Sequence, residues 1–291
     1  MRTTVVVNGL HEPEGPVVLP DGDVALVQMA AAHASVSRTT PAGERRDICR
    51  PGGRPNGLAL DGDGCLWVAG APDQAVGRYT ADGELRLAVR DGFDWPNDVA
   101  FGPDGLLYLT DSGITLAEML DGSELRRDWL DLEYRGAVVQ IDPREGRVLR
   151  RLATGLKFAN GIAFSPAGEL YFSESLTGVI YRQPLDGPAV PYAQVLDRPP
   201  TTRFRGPDGM AFAADGTLFS AVFGAGYVAV VAPGGGSVER IPLDGAAPTN
   251  VAFAEDGSGD IFVTEVQKGV LLRIAVGKPG LALCKPRLDG A

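Results

Sequence analysis

Six segments of the chain share one pattern, and this repeat constrains the fold more than any other feature. Each begins with a side chain that carries oxygen, continues as a short apolar run, turns, usually at Asp-Gly, and returns as a second apolar run. The opening residues are Glu14, Asn56, Asn97, Asn160, Asp208 and Thr249. They recur about every 41 residues, with one interval lengthened to 63 and another to 48. A period of roughly 40–50 residues is typical of β-propellers and helical solenoids.

The apolar runs favour the propeller. The runs at 66–69, 107–110 and 261–264 are short and rich in β-branched and aromatic residues. Helical periodicity is not sustained over several turns anywhere in the chain. Because four short strands fit one period, the sequence predicts an all-β, six-bladed β-propeller with four-stranded blades, formed by residues 1–291 as a single domain.

The two ends of the chain complement each other. Residues 3–7 precede Glu14 as residues 86–89 precede Asn97, which gives the N-terminal strand the position of an outer strand. The last repeat supplies only three strands of its own. We therefore expect the N-terminal strand to close the last blade, which would leave the ring without an exposed sheet edge.

Composition excludes several partners. The net charge is −10 and there is no basic stripe interleaved with aromatic residues, so we expect no nucleic-acid partner. No apolar stretch approaches the roughly 18 residues of a membrane helix, and no signal peptide is recognisable, so we expect a cytoplasmic protein without a membrane partner. A closed propeller needs no second copy, which favours a monomer and leaves a weak dimer as the alternative. The three cysteines lack metal-type pairs and are expected to be reduced.

The opening residues suggest a cation site. Innermost propeller strands surround a central axis, so corresponding positions on six blades form a ring, here with two carboxylates and three amides. Asn and Asp also begin strands because they favour turns. An oxygen at all six positions favours a cation instead, because hard divalent ions take six to eight oxygen ligands. We interpret Glu14, Asn160 and Asp208 as ligands of one divalent ion, with Ca²⁺ as first candidate and Mg²⁺, Mn²⁺, Zn²⁺ and Fe²⁺ left open.

Several motifs resemble those of a known family. EGP at 14–16, Pro-Asn-Asp at 96–98, Ala-Asn-Gly at 159–161 and Pro-Asp-Gly-Met at 207–210 are similar to the SMP-30/gluconolactonase/luciferin-regenerating-enzyme-like family of six-bladed propellers. The resemblance implies a divalent metal on Glu14, Asn160 and Asp208. It also implies that Asn97 contacts the substrate and, as in related phosphotriesterase-type propellers, the metal.

One position departs from the sugar-lactonase pattern. Animal members of the family carry an arginine two residues before the Asn matched by Asn97, and here that residue is Trp95. Arg54 stands two residues before Asn56 and could supply a guanidinium from another direction. The departure weakens the expectation of a sugar lactone as the substrate.

Two insertions are predicted to lie at the same end as the ring. Residues 113–136 follow a second strand and should fold over the ring as a lid, whose apolar side chains either line the substrate site or only pin the insertion to the propeller. The second insertion, near residues 197–206, places Arg205 beside the ring, where its forked donors suit a carboxylate or hydroxyl-rich substrate.

These features predict a metal-dependent hydrolase that acts on a small cyclic ester, a lactone. The metal would polarise the carbonyl, and Asp208 would serve as general base or as nucleophile. The predicted substrate contacts are Asn97, Asn56, Arg54, Trp95 and Arg205. The alternatives are a phosphotriesterase-like hydrolase on the same metal site, a metal-free relative that joins an amine to an aldehyde, and a non-catalytic propeller that binds a partner.

Overall fold

Six antiparallel sheets of four strands each make up most of the protein, as seen in a computed structural model that describes residues 2–290. In the first five sheets the four strands follow one another in sequence, from the axis outward. Each sheet begins at one of the six repeats and forms one blade. The predicted six-bladed β-propeller is thereby confirmed. No helix among the described residues is long and apolar enough to cross a membrane.

The blades are numbered in chain order, with the strands of each given from the axis outward. Blade 1 comprises Pro13–Val18, Val24–Gln28, Ser35–Thr39 and Arg45–Cys49. Blade 2 comprises Leu58–Leu60, Leu66–Ala71, Ala75–Tyr79 and Leu85–Val89. Blade 3 comprises Pro96–Phe101, Leu107–Asp111, Gly136–Asp142 and Arg147–Leu156. Blade 4 comprises Ala159–Phe164, Leu170–Glu174, Val179–Gln183 and Val190–Gln194. Blade 5 comprises Gly206–Phe212, Leu218–Phe223, Tyr227–Val231 and Val238–Pro242. Blade 6 comprises Pro248–Phe253, Asp260–Glu265, Val270–Ala275 and Thr3–Val7.

The N-terminal strand closes the ring as predicted. Thr3–Val7 pairs antiparallel with Val270–Ala275, with Thr3 opposite Ile274 and Thr4 opposite Arg273. Blade 6 therefore joins both ends of the chain. This closure leaves every inner strand between two neighbouring blades.

Neighbouring blades bury both faces of each sheet. Between blades 2 and 3, Trp67 packs edge-on against Phe101, with ring centroids 6.0 Å apart, in a cluster that includes Leu109 and Ile141. Phe219 and Phe253 meet in the same way between blades 5 and 6. This two-sided burial explains why the inner strands read as continuous apolar runs instead of alternating.

The lid segment contains the only α-helix among the described residues, Leu116–Met119. Thr115 and Glu118 cap it reciprocally: the Thr115 side chain accepts from the amide of Glu118, and the Glu118 carboxylate accepts from the amide of Thr115. A short hairpin of Leu120–Asp121 and Glu124–Leu125 follows. Three 3₁₀ turns complete the described elements: Trp129–Asp131 in the lid, Ala31–His33 and Pro72–Gln74.

The C-terminal residues 276–290, here called the strap, cross the end of the propeller where the Asp-Gly turns lie. The amide of Ala214 in blade 5 donates to the carbonyl of Pro279 over 2.9 Å, and the amide of Gly62 in blade 2 donates to Pro286 over 2.8 Å. A cavity of about 830 Å³ runs along the axis and has Leu281 and Cys284 of the strap among its lining residues. The opposite end, where the opening residues lie, is called the mouth.

Candidate functional site

The six opening residues are brought together around the axis at the mouth. Hydrogen bonds join the inner strands of neighbouring blades there. The amide of Gly57 donates to the carbonyl of Asn97 over 2.7 Å, and Thr249 Oγ1 donates to the carbonyl of Pro13 over 2.9 Å. All six opening side chains are buried. They form a ring at the bottom of the mouth, although they span most of the sequence.

A bulge at the start of the inner strands shapes this ring. The strand register shifts at or just after the opening residue in blades 1, 3, 4, 5 and 6. Bulges of this kind often lie beside active sites, where they re-aim side chains. The next position is glycine in four blades, and the neighbouring backbone explains the choice: a Cβ on Gly161 would lie 2.2 Å from the carbonyl oxygen of Asp208.

Asn97 and Asn160 are held by one repeated device. Asn97 Nδ2 donates to Ser112 Oγ over 2.9 Å, and Asn160 Nδ2 donates to Ser175 Oγ over 3.1 Å. Each serine donates in turn to the next blade, Ser112 to the carbonyl of Ala159 and Ser175 to that of Pro207. The amide nitrogens are thus engaged and the amide oxygens are left free.

The side-chain oxygen of Asn160 is the acceptor in the site that most clearly lacks a hydrogen-bond donor. Asn160 Oδ1 is buried and has no hydrogen-bond partner among the described residues. A buried amide oxygen without a partner costs free energy unless something from outside the chain supplies the interaction. An oxygen ligand for a cation would have these properties.

Three buried carboxyls gather beside this oxygen, and burial is the main reason that all three have raised pKa values. Burial and the neighbouring charges of Asp208 and Asp98 raise the pKa of Glu14 well above its usual range. Burial and the charge of Asp98 do the same to the pKa of Asp208. Burial raises the pKa of Asp98 to about 7. Within residues 2–290 no lysine, arginine or histidine forms a salt bridge with any of them.

Asp98 and Asn250 are members of the site that the sequence reasoning missed. They occupy the position after the opening residue, which is glycine in the other four blades. Asn250 Nδ2 donates to Glu14 Oε2 over 3.3 Å, and Asp98 Oδ2 accepts from the amide of Ile162 over 3.2 Å. A Cβ on Gly57 would lie 2.3 Å from Asp98 Oδ1. The signal was therefore available: the two large residues fill the space that the glycines leave.

The donor set fits a hard divalent cation. Among residues 2–290, no three His, Cys, Asp or Glu side chains converge closely enough to enclose an ion by themselves. Glu14 and Asp208 would need the amide oxygens of Asn97 and Asn160 to complete the site. A site built from oxygen alone suits Ca²⁺, Mg²⁺ or Mn²⁺, because softer ions prefer thiolate or imidazole ligands.

Thr249 is the sixth residue of the ring, and its hydroxyl already forms hydrogen bonds within the protein. Its hydroxyl is buried and bonds to the carbonyl of Pro13 and, over 2.7 Å, to the hydroxyl of Thr264. The bond to Pro13 ties blade 6 to blade 1, and the bond to Thr264 lies within blade 6. Thr249 therefore has a structural role in closing the propeller.

A second ring lies just outside the first. It consists of the residues two positions before each opening residue: Glu12, Arg54, Trp95, Phe158, Gly206 and Ala247. Their equivalence is visible in the backbone, because the carbonyls of Trp95 and Phe158 accept from Ser112 and Ser175 over 2.9 and 3.0 Å. The carbonyls of Glu12 and Ala247 accept in the same way from Met29 and Val266. The predicted substrate contacts Arg54 and Trp95 both belong to this ring.

Arg205 is placed differently from the other predicted substrate contacts. It lies in the second insertion, where its guanidinium donates to the carbonyl of Arg198 over 3.3 Å. Within the described chain no hydrogen bond joins it to either ring. A direct contact between Arg205 and the substrate therefore stays a prediction.

The lid residues pin the insertion to the propeller, and their predicted role in lining the substrate site stays a prediction. Met119, Trp129 and Tyr134 are buried in a cluster with Phe158, and so pin the insertion to the propeller. Leu130 is only partly buried against the same cluster. Leu120 belongs to the short lid hairpin and is partly exposed.

Acidic residues at the ends of second strands hold the mouth loops in place. Asp111 accepts from the amides of Trp95 and Asp94 over 2.8 and 3.1 Å. Glu174 accepts from Lys157, and Glu265 accepts from Ala247. These carboxylates fix the backbone that carries the second ring, which gives them structural roles.

Comparison with known proteins identifies the family. A sequence profile of the SMP-30/gluconolactonase/LRE-like region matches residues 3–110 and 91–267. The chain belongs to the SMP-30/gluconolactonase/LRE-like family. The resemblance read from the motifs is thus confirmed. A gluconolactonase of Zymomonas mobilis is 30% identical over 273 residues, which cover 87% of this chain and 70% of that relative. A 6-deoxy-6-sulfogluconolactonase of Pseudomonas putida is 32% identical over 179 residues, 54% of this chain and 62% of the relative.

Solved structures of other SMP-30/gluconolactonase-like proteins share the fold. A luciferin-regenerating enzyme superposes with a TM-score of 0.77 at 17% identity, over 99% of both chains. The calcium-binding protein regucalcin from Agrobacterium tumefaciens superposes with a TM-score of 0.73 at 21% identity, also over 99% of both chains. At these identities the likeness establishes the propeller alone.

Proposed function

We propose that this family member is a divalent-metal-dependent lactonase. One observation carries the proposal: Glu14, Asp98 and Asp208 are buried together without a cationic partner, beside the unpartnered Oδ1 of Asn160. Burying uncompensated carboxylates is costly, and a bound cation would offset that cost. The lactonases among the relatives support the choice of reaction.

The proposed ion is held by Glu14, Asn97, Asn160 and Asp208. It is a hard cation, with Ca²⁺ preferred and Mg²⁺ or Mn²⁺ as the alternatives. When bound, it supplies Lewis acidity at the lactone carbonyl and offsets the negative charge that develops on the carbonyl oxygen.

Asp208 is the residue that we assign to proton transfer. Its Oδ1 accepts from the amide of Gly209 over 3.1 Å, which leaves Oδ2 available. Oδ2 takes a proton from the attacking water as the water oxygen bonds to the carbonyl carbon. The ring C–O bond then breaks, the ring oxygen takes the proton from Asp208 Oδ2, and the hydroxy acid leaves. In the variant mechanism Asp208 attacks the carbonyl itself, the ring C–O bond breaks to give a mixed anhydride with Asp208 and a free hydroxyl, and water then hydrolyses the anhydride.

Asn97 and Asn56 orient the substrate in this proposal. The Asn97 side chain is fixed through Ser112, and the backbone of Asn56 is held by its amide, which donates to the carbonyl of Ala69 over 2.9 Å. Side chains that are fixed before the substrate arrives lose little entropy on binding. They therefore suit a positioning role without proton transfer.

The test is lactone hydrolysis after metal removal. The protein is treated with EDTA, and acid release from γ-butyrolactone and D-glucono-δ-lactone is followed with and without added Ca²⁺, Mg²⁺ or Mn²⁺. We expect activity to disappear and to return with one of these ions. Asp208→Asn should lose at least about 100-fold in kcat, whereas Asp186→Asn, at a fully exposed carboxylate, should be unchanged.

Other results would support the rivals. Full activity in metal-depleted Asp208→Asn would refute the mechanism. Hydrolysis of a phosphotriester but of no lactone would support the alternative, a phosphotriesterase-like hydrolase on the same metal site. No bound ion and no hydrolysis would favour the non-catalytic propeller.

A further inference from the structure

The side chains of the second ring differ in chemical character from blade to blade, and this difference bears on the identity of the substrate. On blades 1 and 2 it carries an ion pair, in which an Arg54 nitrogen lies 2.9 Å from Glu12 Oε2. On blades 3 and 4 it carries the aromatic side chains Trp95 and Phe158. On blades 5 and 6 it carries Gly206 and Ala247, which add little or no side chain. The wall around the mouth is therefore charged on one side and aromatic beside it.

The aromatic side chains form a continuous arc over blades 3 to 5. The ring centroids of Trp95 and Phe158 are 5.5 Å apart, those of Phe158 and Phe204 are 4.7 Å apart, and those of Phe204 and Phe223 are 5.9 Å apart. These are the spacings of favourable edge-to-face pairs. Trp95, Phe204 and Phe223 are only partly buried, so each keeps part of its surface accessible.

The arc is held rigidly from behind. The lid residue Trp129 packs against Phe204 with centroids 5.9 Å apart, and Tyr134 packs against Phe158 at 6.5 Å. Phe158 itself has φ 65°, a left-handed conformation that is uncommon outside glycine. A residue that keeps such a conformation in a buried site is held there by its surroundings, and residues of this kind cluster at functional sites.

Two hydrogen-bond donors at the junction of the charged and aromatic sides have no acceptor. Trp95 Nε1 and Arg54 Nε are buried and unpartnered in the described chain. The Arg54 guanidinium lies 5.5 Å from the centre of the Trp95 ring, so the two groups are neighbours. A substrate oxygen at this junction would satisfy donors that are otherwise left unpaired.

We infer that the substrate is a lactone bearing an aryl or alkyl substituent. This inference rests on the proposed lactonase function and names the substrate class for that site. The apolar substituent lies against Trp95 and Phe204, and an oxygen of the ring end faces the Trp95–Arg54 junction. A polyhydroxylated lactone fits poorly, because Phe158, Phe204 and Phe223 offer its hydroxyls no hydrogen-bond partner.

The test compares lactones that differ in one respect at a time. The kcat/KM values of γ-butyrolactone, γ-hexalactone, γ-nonalactone and γ-phenyl-γ-butyrolactone are measured beside that of D-glucono-δ-lactone. We expect kcat/KM to rise about fourfold per added methylene, the ratio expected for burial of a methylene group. D-Glucono-δ-lactone should be hydrolysed more slowly than the phenyl lactone.

Substitutions in the aromatic arc test whether it causes the dependence of kcat/KM on chain length. Trp95→Ala and Phe204→Ala should both flatten the dependence on chain length, because each removes apolar contact with the substituent. Trp95→Ala should also lower the rate on γ-butyrolactone, because it removes the Nε1 donor as well. Trp95→Phe keeps the apolar face and removes the N–H, so it should retain the dependence on chain length and lower all rates equally. Leu185→Ala, at an exposed leucine, is the matched control.

The two proposals fail in distinguishable ways. If D-glucono-δ-lactone is preferred and the alkyl series is flat, the lactonase stands and the inference on its substrate is wrong. If no lactone is hydrolysed, binding of the hydrolysis-resistant lactams with the same substituents is measured by calorimetry. Tighter binding of the phenyl lactam that Trp95→Ala abolishes supports the aromatic arc on its own, and equal binding of the polyhydroxylated lactam overturns it.

Discussion

Each end of the propeller contains a cluster of three carboxylates. The clusters differ in whether the protein supplies a cationic partner for them. At the end under the strap, Arg78 forms ion pairs with Asp61, Asp63 and Asp289 at 2.7, 3.1 and 2.6 Å. At the mouth, Glu14, Asp98 and Asp208 have no such partner within residues 2–290. Hydrogen bonds from the amides of Asp289 and Leu288, with Arg78 adding to them, lower the pKa of Asp63, whereas burial raises all three pKa values at the mouth.

The difference teaches how to separate a structural cluster from a functional one. The cluster under the strap contains its own cation, and Asp61 also accepts from the amide of Cys65 and from Trp67 Nε1. Each of its three carboxylates is paired with Arg78, so the cluster joins the strap to blade 2 without a further partner. The mouth keeps its charges unbalanced, at a cost to stability that function would explain.

The largest effect should come from removing the internal cation. Arg78→Met leaves Asp61, whose side chain is fully buried, without its partner, and should destabilise the protein by about 3–5 kcal/mol. The midpoint and slope of urea unfolding measure this loss. The matched control is Arg147→Met, which breaks an exposed pair with Glu145 and should cost less than about 1 kcal/mol. Activity per folded molecule should not change in either variant. A loss of activity per folded molecule in Arg78→Met would contradict a purely structural role for the cluster under the strap.

The second effect is the response of the mouth to an added cation. Ca²⁺ at 100 times its dissociation constant should stabilise the wild type by about 2.7 kcal/mol, because it binds only the folded state. Thermal unfolding with EDTA and with Ca²⁺ measures the shift. Glu14→Gln should lose it, whereas Arg78→Met should keep it in spite of a lower starting Tm. An equal shift in Glu14→Gln would place the ion elsewhere.

The sequence predicted one of these two ends much better than the other. The blades and the ring were predictable because the same local pattern occurs six times, and the period alone brings the opening residues to one axis. Asp98 and Asn250 were missed although they replace the glycine of the other four blades, because that difference acquires meaning only with the bulge, which follows from pairing with the next strand.

Contacts distant in sequence were beyond prediction for a related reason. Asp289 meets Arg78 only because the strap crosses the propeller, and nothing periodic marks the strap. The aromatic arc was anticipated only at Trp95. Phe158 belongs to the loop before blade 4 and Phe204 to the second insertion, and their meeting depends on how the lid packs over both.

The third effect is a dependence of stability on pH that only the mouth should show near neutrality. The pKa of Asp98 is about 7 in the folded protein, against about 3.9 in an unfolded chain. Between these values the folded state holds a proton that the unfolded state has lost, so the contribution to stability is complete below about pH 4 and is lost as the pH rises through 7. In EDTA, the free energy of unfolding should therefore fall between pH 5.5 and 8. Asp98→Asn should make this slope shallower, with Glu14 and Asp208 supplying the remainder, and a slope unchanged by the substitution would assign it wholly to other groups.

The smallest effect should come from the serine that holds a predicted ligand. Ser175→Ala removes the acceptor for Asn160 Nδ2 and the donor to the carbonyl of Pro207. The Asn160 amide can then turn, so its oxygen is no longer fixed toward the axis. Substitutions of groups that orient ligands typically cost 10–100-fold in metal affinity, and we expect a loss of about tenfold in calorimetric Ca²⁺ titration. Ser173→Ala is the matched control, because that buried hydroxyl donates to the carbonyl of Asp208 and touches no predicted ligand side chain. Equal losses in the two variants would mean that the strand backbone, rather than the orientation of Asn160, sets the affinity of the mouth for its ion.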